Sequence, residues 1–372
     1  MQGFMILRLA IRFLMWLSGI WLLFMIPDFK KTRTQGEEKE YPEVSIIIPA
    51  RNEEKRLPAL LRSLAAQKTV VREILVVDDA SEDKTVKIAE SFGCRVIRAG
   101  DLPEGWQGKS WACRQGALAA KGSVLLFLDA DTWFENGGLS KLLDTYSKEN
   151  TPLSVQPYHH MEKAYENLSG IFNIIVMMGT NLFTPLGRKC RPRAFFGPCQ
   201  VISRQDYITA GGHESARGAI LDDLAMGENF TGSNIPIRCM GGRGAVAFRM
   251  YPDGIPDIMG GWGKNFVTGA MSIGTLNMLL IIFWICGGFG ASLYFFLNIT
   301  DPVYVSMYLL FGAQIYWMLA RIGNFSPLLV LFYSLLLLFF LAVFAKGLVM
   351  TLVFRKVRWK GRDIPVGKGG KK

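Results

Sequence analysis

From residue 44 to residue 131, short apolar runs alternate with stretches of helical spacing. "VSIIIPA" (44–50), "EILVVDDAS" (73–81), "CRVIRAG" (94–100) and "VLLFLDAD" (124–131) read as four strands. Between them, "EEKRLPALLRSLAAQ" (53–67) puts Leu57, Leu60, Leu61 and Leu64 on one helical face. "DKTVKIAESFG" (83–93) is a second helix with Gly93 as its stop, and "SWACRQGALAAKG" (110–122) is a third. Strand–helix alternation of this kind predicts an α/β fold with a mostly parallel, Rossmann-like sheet covered by helices on both faces. Continuous apolar strands suit burial on both sides. Ligands of such sheets sit beyond the carboxyl ends of the strands.

The ends of the chain follow a different pattern. Residues 4–26 are apolar with charges at Arg8 and Arg12, and blocks near 276–299, 303–320 and 328–354 are almost continuously apolar. These lengths predict N-terminal and C-terminal transmembrane helices. No small-x-small site precedes Pro27, so the first is read as a retained anchor and not as a cleaved leader. The expected division is an anchor at 1–27, a polar linker at 28–43, a catalytic domain at 44–270, a transmembrane region at 271–354 and a basic cytoplasmic tail at 355–372. Residues 170–183 ("GIFNIIVMMGTNLF") are read as a buried or membrane-surface helix. Three spans after a cytoplasmic domain would leave the basic tail outside, against the charge bias of membrane proteins. The block at 303–320, with Gln314 and the following Arg321, is therefore expected to lie in the interface or re-enter.

Charge supports a membrane partner. Lys and Arg number 42 against 31 Asp and Glu, a net charge of +11, and half of the chain is hydrophobic. Lys30, Lys31 and Arg33 follow the first apolar segment, and Arg355, Lys356, Arg358, Lys360 and Arg362 follow the last. Basic flanks of this kind mark the cytoplasmic side and meet anionic lipids. No nucleic-acid-binding motif accompanies them. Cys94, Cys113, Cys190, Cys199, Cys239 and Cys286 show no CxxC spacing, so neither a disulfide framework nor a zinc site is expected. His159, His160 and His213 lack a third ligand at metal spacing and are read as packing or loop residues.

The chemistry gathers at strand ends. Asp129 and Asp131, at positions i and i+2 of an extended segment, can address one ligand. Two such carboxylates suit Mg2+ or Mn2+, hard cations that bridge protein oxygens to substrate phosphates. Asp78 and Asp79 end another strand and can accept hydrogen bonds from a base or ribose. Pro49, Ala50, Arg51, Asn52 and Glu53 follow the first strand and can line the same crevice. Lys109 opens a helix, where its ammonium can offset charge on a diphosphate leaving group.

"PARNEE" (49–54), "VVDDASED" (76–83) and "LDAD" (128–131), in this order, resemble glycosyltransferase family 2 with its GT-A fold. That resemblance covers residues 44 to about 270. It implies an inverting enzyme with a UDP-sugar donor, with Asp78 at the uracil or ribose, Asp129 at the ribose and Asp131 on the metal. "LPEGWQGKSWACRQG" (102–116), "LSVQPYHH" (153–160), "FGP" (196–198), "GGHESA" (211–216) and "GWGKN" (261–265) narrow it. They are similar to glycosyltransferases that glucosylate a C30 carotenoid acid, 4,4'-diaponeurosporenoate. This implies a lipid-soluble carotenoid acceptor reached from the membrane.

An inverting displacement on a hydroxyl needs a base in line with the leaving group. The family carries it as the second residue of an acidic pair at a helix start, which points to Asp223, with Asp222 as the alternative. A carboxylic acid acceptor is already ionised at neutral pH, and the pair would then orient more than deprotonate. Trp262 is expected to cover the donor or acceptor, or else to be an interfacial tryptophan. The Gln-x-x-Arg-Trp element of processive relatives is absent, against a polysaccharide synthase. Rival readings are another lipid acceptor, such as a hopanoid or polyprenyl phosphate, and a catalytically silent GT-A binding protein. Few ionisable residues in the apolar blocks argue against a transporter.

Overall fold

The computed structural model describes residues 2–29, 41–189, 195–219, 221–350, 356–359 and 362–365. Most of the expected linker, Cys190 and much of the expected basic tail lie outside them. The elements in chain order are α1 (Gln2–Leu22), β1 (Val44–Ala50), α2 (Leu57–Ala65), β2 (Glu73–Asp78), α3 (Thr85–Ser91), β3 (Arg95–Arg98), α4 (Gly108–Ala119), β4 (Val124–Leu128), β5 (Thr132–Phe134), α5 (Gly138–Glu149), β6 (Leu153–Gln156) and β7 (Tyr158–His159). They continue with α6 (Gly170–Gly179), β8 (Cys199–Ser203), α7 (Arg204–Thr209), α8 (Asp222–Gly232), β9 (Arg238–Gly241), β10 (Val246–Phe248), α9 (Ile255–Ser272), α10 (Thr275–Leu297), α11 (Pro302–Ile322), α12 (Leu329–Val349), β11 (Lys356–Trp359) and β12 (Arg362–Pro365).

The chain divides into two units, and the first comprises Ile26–His160 and Arg191–Met250. Its main sheet has the order β3-β2-β1-β4-β8-β6-β9. β1 pairs in parallel with both β2 and β4, whereas β8 is antiparallel to β4 and β6. Strand alternation explains the two cores. Ile46 and Ile48 of β1 and Leu126 and Leu128 of β4 face one side, with Leu57, Leu60, Leu61 and Leu64 of α2 and Leu139, Leu142 and Leu143 of α5. Ile47, Val77, Leu125 and Phe127 face the other, with Ala112, Cys113 and Ala117 of α4, Tyr207 of α7, and Met226 and Phe230 of α8. A second sheet, β5-β10-β7, continues from the end of β4.

The second unit comprises Met1–Met25, Met161–Cys190 and Tyr251–Lys372. The segment from residue 161 to 190, which the sequence reading placed inside the catalytic domain, thus clusters with the apolar helices. Its helix α6 has nine of ten residues buried and needs apolar cover on all sides. Among the described residues, α10, α11 and α12 are each long and apolar enough to cross a membrane.

The middle apolar block is one uninterrupted 21-residue helix. Gln314 does not break α11, because its side chain accepts from Trp284 Nε1 (2.8 Å) and donates to the Trp16 carbonyl (2.7 Å). The return is made by residues 323–328 instead. Asn324 exchanges two hydrogen bonds with the Met161 backbone, and Ser326 N–H donates to Asn167 Oδ1. The start of α12 then lies beside the earlier part of α11. Gly312 meets the Val330 backbone, and Tyr308 OH donates to the Leu331 carbonyl (2.6 Å). Further along, Phe340 and Phe344 of α12 pack on Phe266 of α9. α12 therefore runs broadly in the same sense as α11 and finishes beside α9. The last described strands, β11 and β12, pair antiparallel.

Candidate active site

All but one of the expected site residues fall in the sheet unit, at the carboxyl ends of β1, β2 and β4 and at the starts of α4 and α8. The turns after β1 and β2 interlock. Asn52 and Ala80 take positive φ (both 54°), which lets the backbone reverse directly after each strand. Asn52 N–H donates to Ser81 Oγ (3.0 Å), and Asn52 Oδ1 accepts from Glu82 N–H (2.8 Å). Glu53 N–H donates to Thr85 Oγ1 (2.8 Å).

The adjacent Asp78 and Asp79 are both buried, but they do different things. Asp78 Oδ1 accepts from Ser81 N–H (3.1 Å) and shapes its own turn. Asp79 turns to Arg51, whose Nη1 lies 3.3 Å from Asp79 Oδ2 and 3.2 Å from the Asp79 carbonyl. The Asp79 carboxylate also lies flat on Gly108, where a Cβ would overlap it. Arg51 and Asp79 thus tie two strand ends to the first turn of α4. Pro49 and Ala50 are the last residues of β1, and the Ala50 carbonyl accepts from Asp79 N–H (2.9 Å).

Lys109 stands at the start of α4, and its ammonium bridges both oxygens of Asp129, at 2.7 and 2.9 Å. Burial works against its charge, but Asp129, Asp223 and Asp222 outweigh that and hold it well above the usual ammonium range. Asp131 has the opposite balance. Burial, then Asp129 and Glu53, push its carboxyl up to about 7, with Arg56 and Lys109 only partly compensating.

The acidic pair at the start of α8 is held from two sides. Ser110 Oγ donates to Asp222 Oδ2 (2.8 Å), and Asp222 Oδ1 accepts from Asp223 N–H (3.2 Å). The Asp223 carboxyl rests against Gly197, accepts its backbone hydrogen bond, and leaves no room for a Cβ there. Burial, then the Asp222 charge, push Asp223 up to about 8. Sequence pattern alone gives Ser110 and Gly197 no role, although "GKS" (108–110) and "FGP" (196–198) contain them. His213 packs against Phe127 and hydrogen-bonds Tyr207 OH (2.9 Å), so it serves as a buried packing residue. His159 packs on Phe248 and His160 on Trp133.

Trp262 is the exception. It belongs to the helix unit, buried, with its indole stacked on Phe172 (5.1 Å) and set edge-on to Phe266 and Tyr251.

Among the described residues no three His, Cys, Asp or Glu side chains are placed to hold a metal ion by themselves. Asp131 nevertheless fits a divalent cation. It is a carboxyl short of positive charge, beside a second carboxylate, in the manner of a cation that takes most of its ligands from phosphate and water.

The family model for glycosyl transferase family 2 matches residues 45–207. A protein from Staphylococcus aureus (strain USA300) described as 4,4'-diaponeurosporenoate glycosyltransferase is 35% identical over 334 residues, covering 87% of this chain and 89% of that protein. The protein of the same description from strain MRSA252 matches over the same extent, also at 35% identity. Among solved structures, a mannosyltransferase from Pyrobaculum calidifontis, in complex with GDP-mannose and Mn2+, superposes with a TM-score of 0.51 at 15% identity. The match covers 91% of this chain and 95% of the other. The arrangement of strands, the acidic strand ends and a relative matched over most of its length lead to one conclusion: the chain is a glycosyltransferase with a GT-A fold and belongs to glycosyltransferase family 2.

Proposed function

We propose that this glycosyltransferase is a membrane-bound inverting enzyme that transfers glucose from UDP-glucose to the carboxylate of a C30 carotenoid acid, giving a glucosyl ester. The observation that carries the acceptor is the 35% identity, over 87% of the chain, to proteins described as 4,4'-diaponeurosporenoate glycosyltransferase. The donor reading is supported by the interlocked strand ends. Asp78 and the 49–53 turn would line the nucleoside side, and Arg51 and Asp79 fix the two loops together.

Asp131, with Asp129 beside it, would hold Mg2+ or Mn2+. Once bound, the ion would neutralise charge on the donor diphosphate and make it a better leaving group. Lys109 keeps its proton throughout and brings a second positive charge to the same place. Ser110 fixes Asp222, and Gly197 seats Asp223, so the acidic pair is pre-set for an acceptor arriving over α8. An acceptor that arrives ionised is its own nucleophile. Asp223, holding its proton at neutral pH, then orients that carboxylate by donating a hydrogen bond, in place of removing a proton. The apolar helices would cross the membrane, with the catalytic unit in the cytoplasm and a lipid-soluble acceptor reaching it from the bilayer.

The test is mass analysis of lipid extracts from cells that make the carotenoid acid, with and without this protein. A hexose-shifted carotenoid is the expected product. UDP-glucose turnover on other lipids with no such product overturns the acceptor and leaves the donor standing.

A further inference from the structure

Helix α1 carries a buried cation that, among the described residues, no carboxylate pairs with. Arg12 is only 8% exposed. Its guanidinium carbon sits 3.7 Å from the ring centre of Tyr294 on α10 and 5.7 Å from that of Tyr304 on α11, and the two rings stack at 5.4 Å. Among the described residues, no carboxylate pairs with it and no carbonyl or hydroxyl accepts a hydrogen bond from it. Asp301 is the single carboxylate in the sequence of α1 and of residues 258–350, and it is engaged at the start of α11, where it accepts from Val303 N–H (2.9 Å).

The packing sets the depth of this arginine. Met15 lies against Gly287, and Gly19 lies against Trp284, so α1 runs antiparallel to α10. Arg12 therefore lies near the end of α10. The other end of α1, where Leu23 and Phe24 accept from Arg321, leads into the chain that builds the sheet unit. Arg8 follows one helical turn further out on the same face. Basic residues are disfavoured at the membrane face away from the cytoplasm, and a buried guanidinium without an anion is costly. Its planar fork matches two oxygens of a phosphate, and its face is already occupied by an aromatic ring.

We infer that Arg12, cradled by Tyr294 and Tyr304, binds the phosphodiester of a phospholipid in the leaflet at that end of the helices. The inference needs the helices to cross a bilayer and is independent of which sugar or acceptor the sheet unit uses. Free phosphate offers the same oxygens without acyl chains, so the experiment separates the two.

The test uses the full chain, purified in detergent, stripped of lipid and examined by native mass spectrometry. Phosphatidylglycerol, diacylglycerol with the same acyl chains, and inorganic phosphate are each added. One phosphatidylglycerol per chain is expected to survive activation, with no retention of diacylglycerol and no displacement by inorganic phosphate. Arg12→Leu should weaken retention by about tenfold or more, the usual cost of a lost charge-assisted hydrogen bond. Arg12→Gln, neutral but polar, replaces it if the leucine variant fails to fold, with the same loss expected. Equal retention by either variant, equal retention of diacylglycerol, or displacement by free phosphate each overturns the lipid phosphodiester.

Discussion

In the sheet unit, Asp129, Asp131, Asp222 and Asp223 crowd around the single ammonium of Lys109. Burial, and then the neighbouring negative charges, push the Asp131 and Asp223 carboxyls far above their ordinary values. In the helix unit, polar groups are spread out, and several of them join one helix to another. Gln314 has Trp284 and Trp16, Asn277 Nδ2 donates to the Met178 carbonyl (3.1 Å), and Ser334 Oγ donates to Ser292 Oγ (2.9 Å). A crowded, under-neutralised cluster suits the proposed cation and substrate, whereas scattered groups that bond across helices fix how those helices pack. Substitutions in the first should change chemistry, and those in the second should change stability.

The most severe loss is expected for Asp131→Asn. It removes the carboxylate best placed for a cation, and metal-dependent release of UDP from a UDP-sugar should fall by about a hundredfold or more. Titrating Mg2+ and Mn2+ against the variant checks the assignment, and full activity at ordinary metal concentrations removes it. Gly197→Ala comes next. The added methyl must displace the Asp223 carboxyl, and a displacement of about 1 Å at a reacting centre costs on the order of a hundredfold in rate. Donor binding, measured by UDP affinity, should stay near its original value. A parallel loss of both would show that Gly197 supports the fold more than the acidic pair.

The pH profile separates the two duties open to Asp223. Its carboxyl stands at about 8, because of burial and then the Asp222 charge, so it is protonated below that pH. As a base it must ionise, and the transfer rate would rise with pH toward about 8. As a hydrogen-bond donor to an ionised acceptor it must keep its proton, and the rate would fall as pH climbs past about 8. A falling limb supports the carboxylate acceptor, and a rising limb points to a hydroxyl. Asp222→Asn should move either limb toward lower pH by removing the neighbouring charge. A limb that stays in place shows that another group titrates. The same shift has a stability consequence. The folded state prefers the protonated form, so Asp223 disfavours folding increasingly from about pH 4 up to about 8.

The two units also differ in what the chain reveals on reading. The acidic strand ends were legible, because a buried parallel strand announces itself as an apolar run and its ligand-facing end is where the run stops. Asp78 and Asp79 were legible as a pair but not as individuals. Neighbours on an extended segment point to opposite sides, and only the fold shows Asp79 turned to Arg51 and Gly108. Ser110 and Gly197 act through α8, a partner more than a hundred residues from the first and 25 from the second in sequence, and no local pattern signals such pairings. In the helix unit, hydropathy showed where helices form but not their sense. The direction of α12 depends on Asn324 meeting Met161 and on Val330 meeting Gly312, both contacts between distant positions.

The smallest effect expected belongs to the helix unit, and it tests the comparison most directly. Gln314→Leu keeps the volume and apolar character of α11 but leaves Trp284 Nε1–H and the Trp16 carbonyl without their partner. Hydrogen bonds between membrane helices contribute roughly 0.6 kcal/mol on average and up to about 1.7 kcal/mol. Thermal unfolding in detergent should therefore shift down by a few degrees while UDP release per folded molecule stays unchanged. Gln314 is buried on the face of α11 that packs between α1 and α10, so the loss falls on their association. A variant that unfolds as the parent does but loses transfer would place Gln314 in the chemistry. The helix unit would then be more than a support, and the division between a reactive sheet and a bundle fixed by its packing would fail.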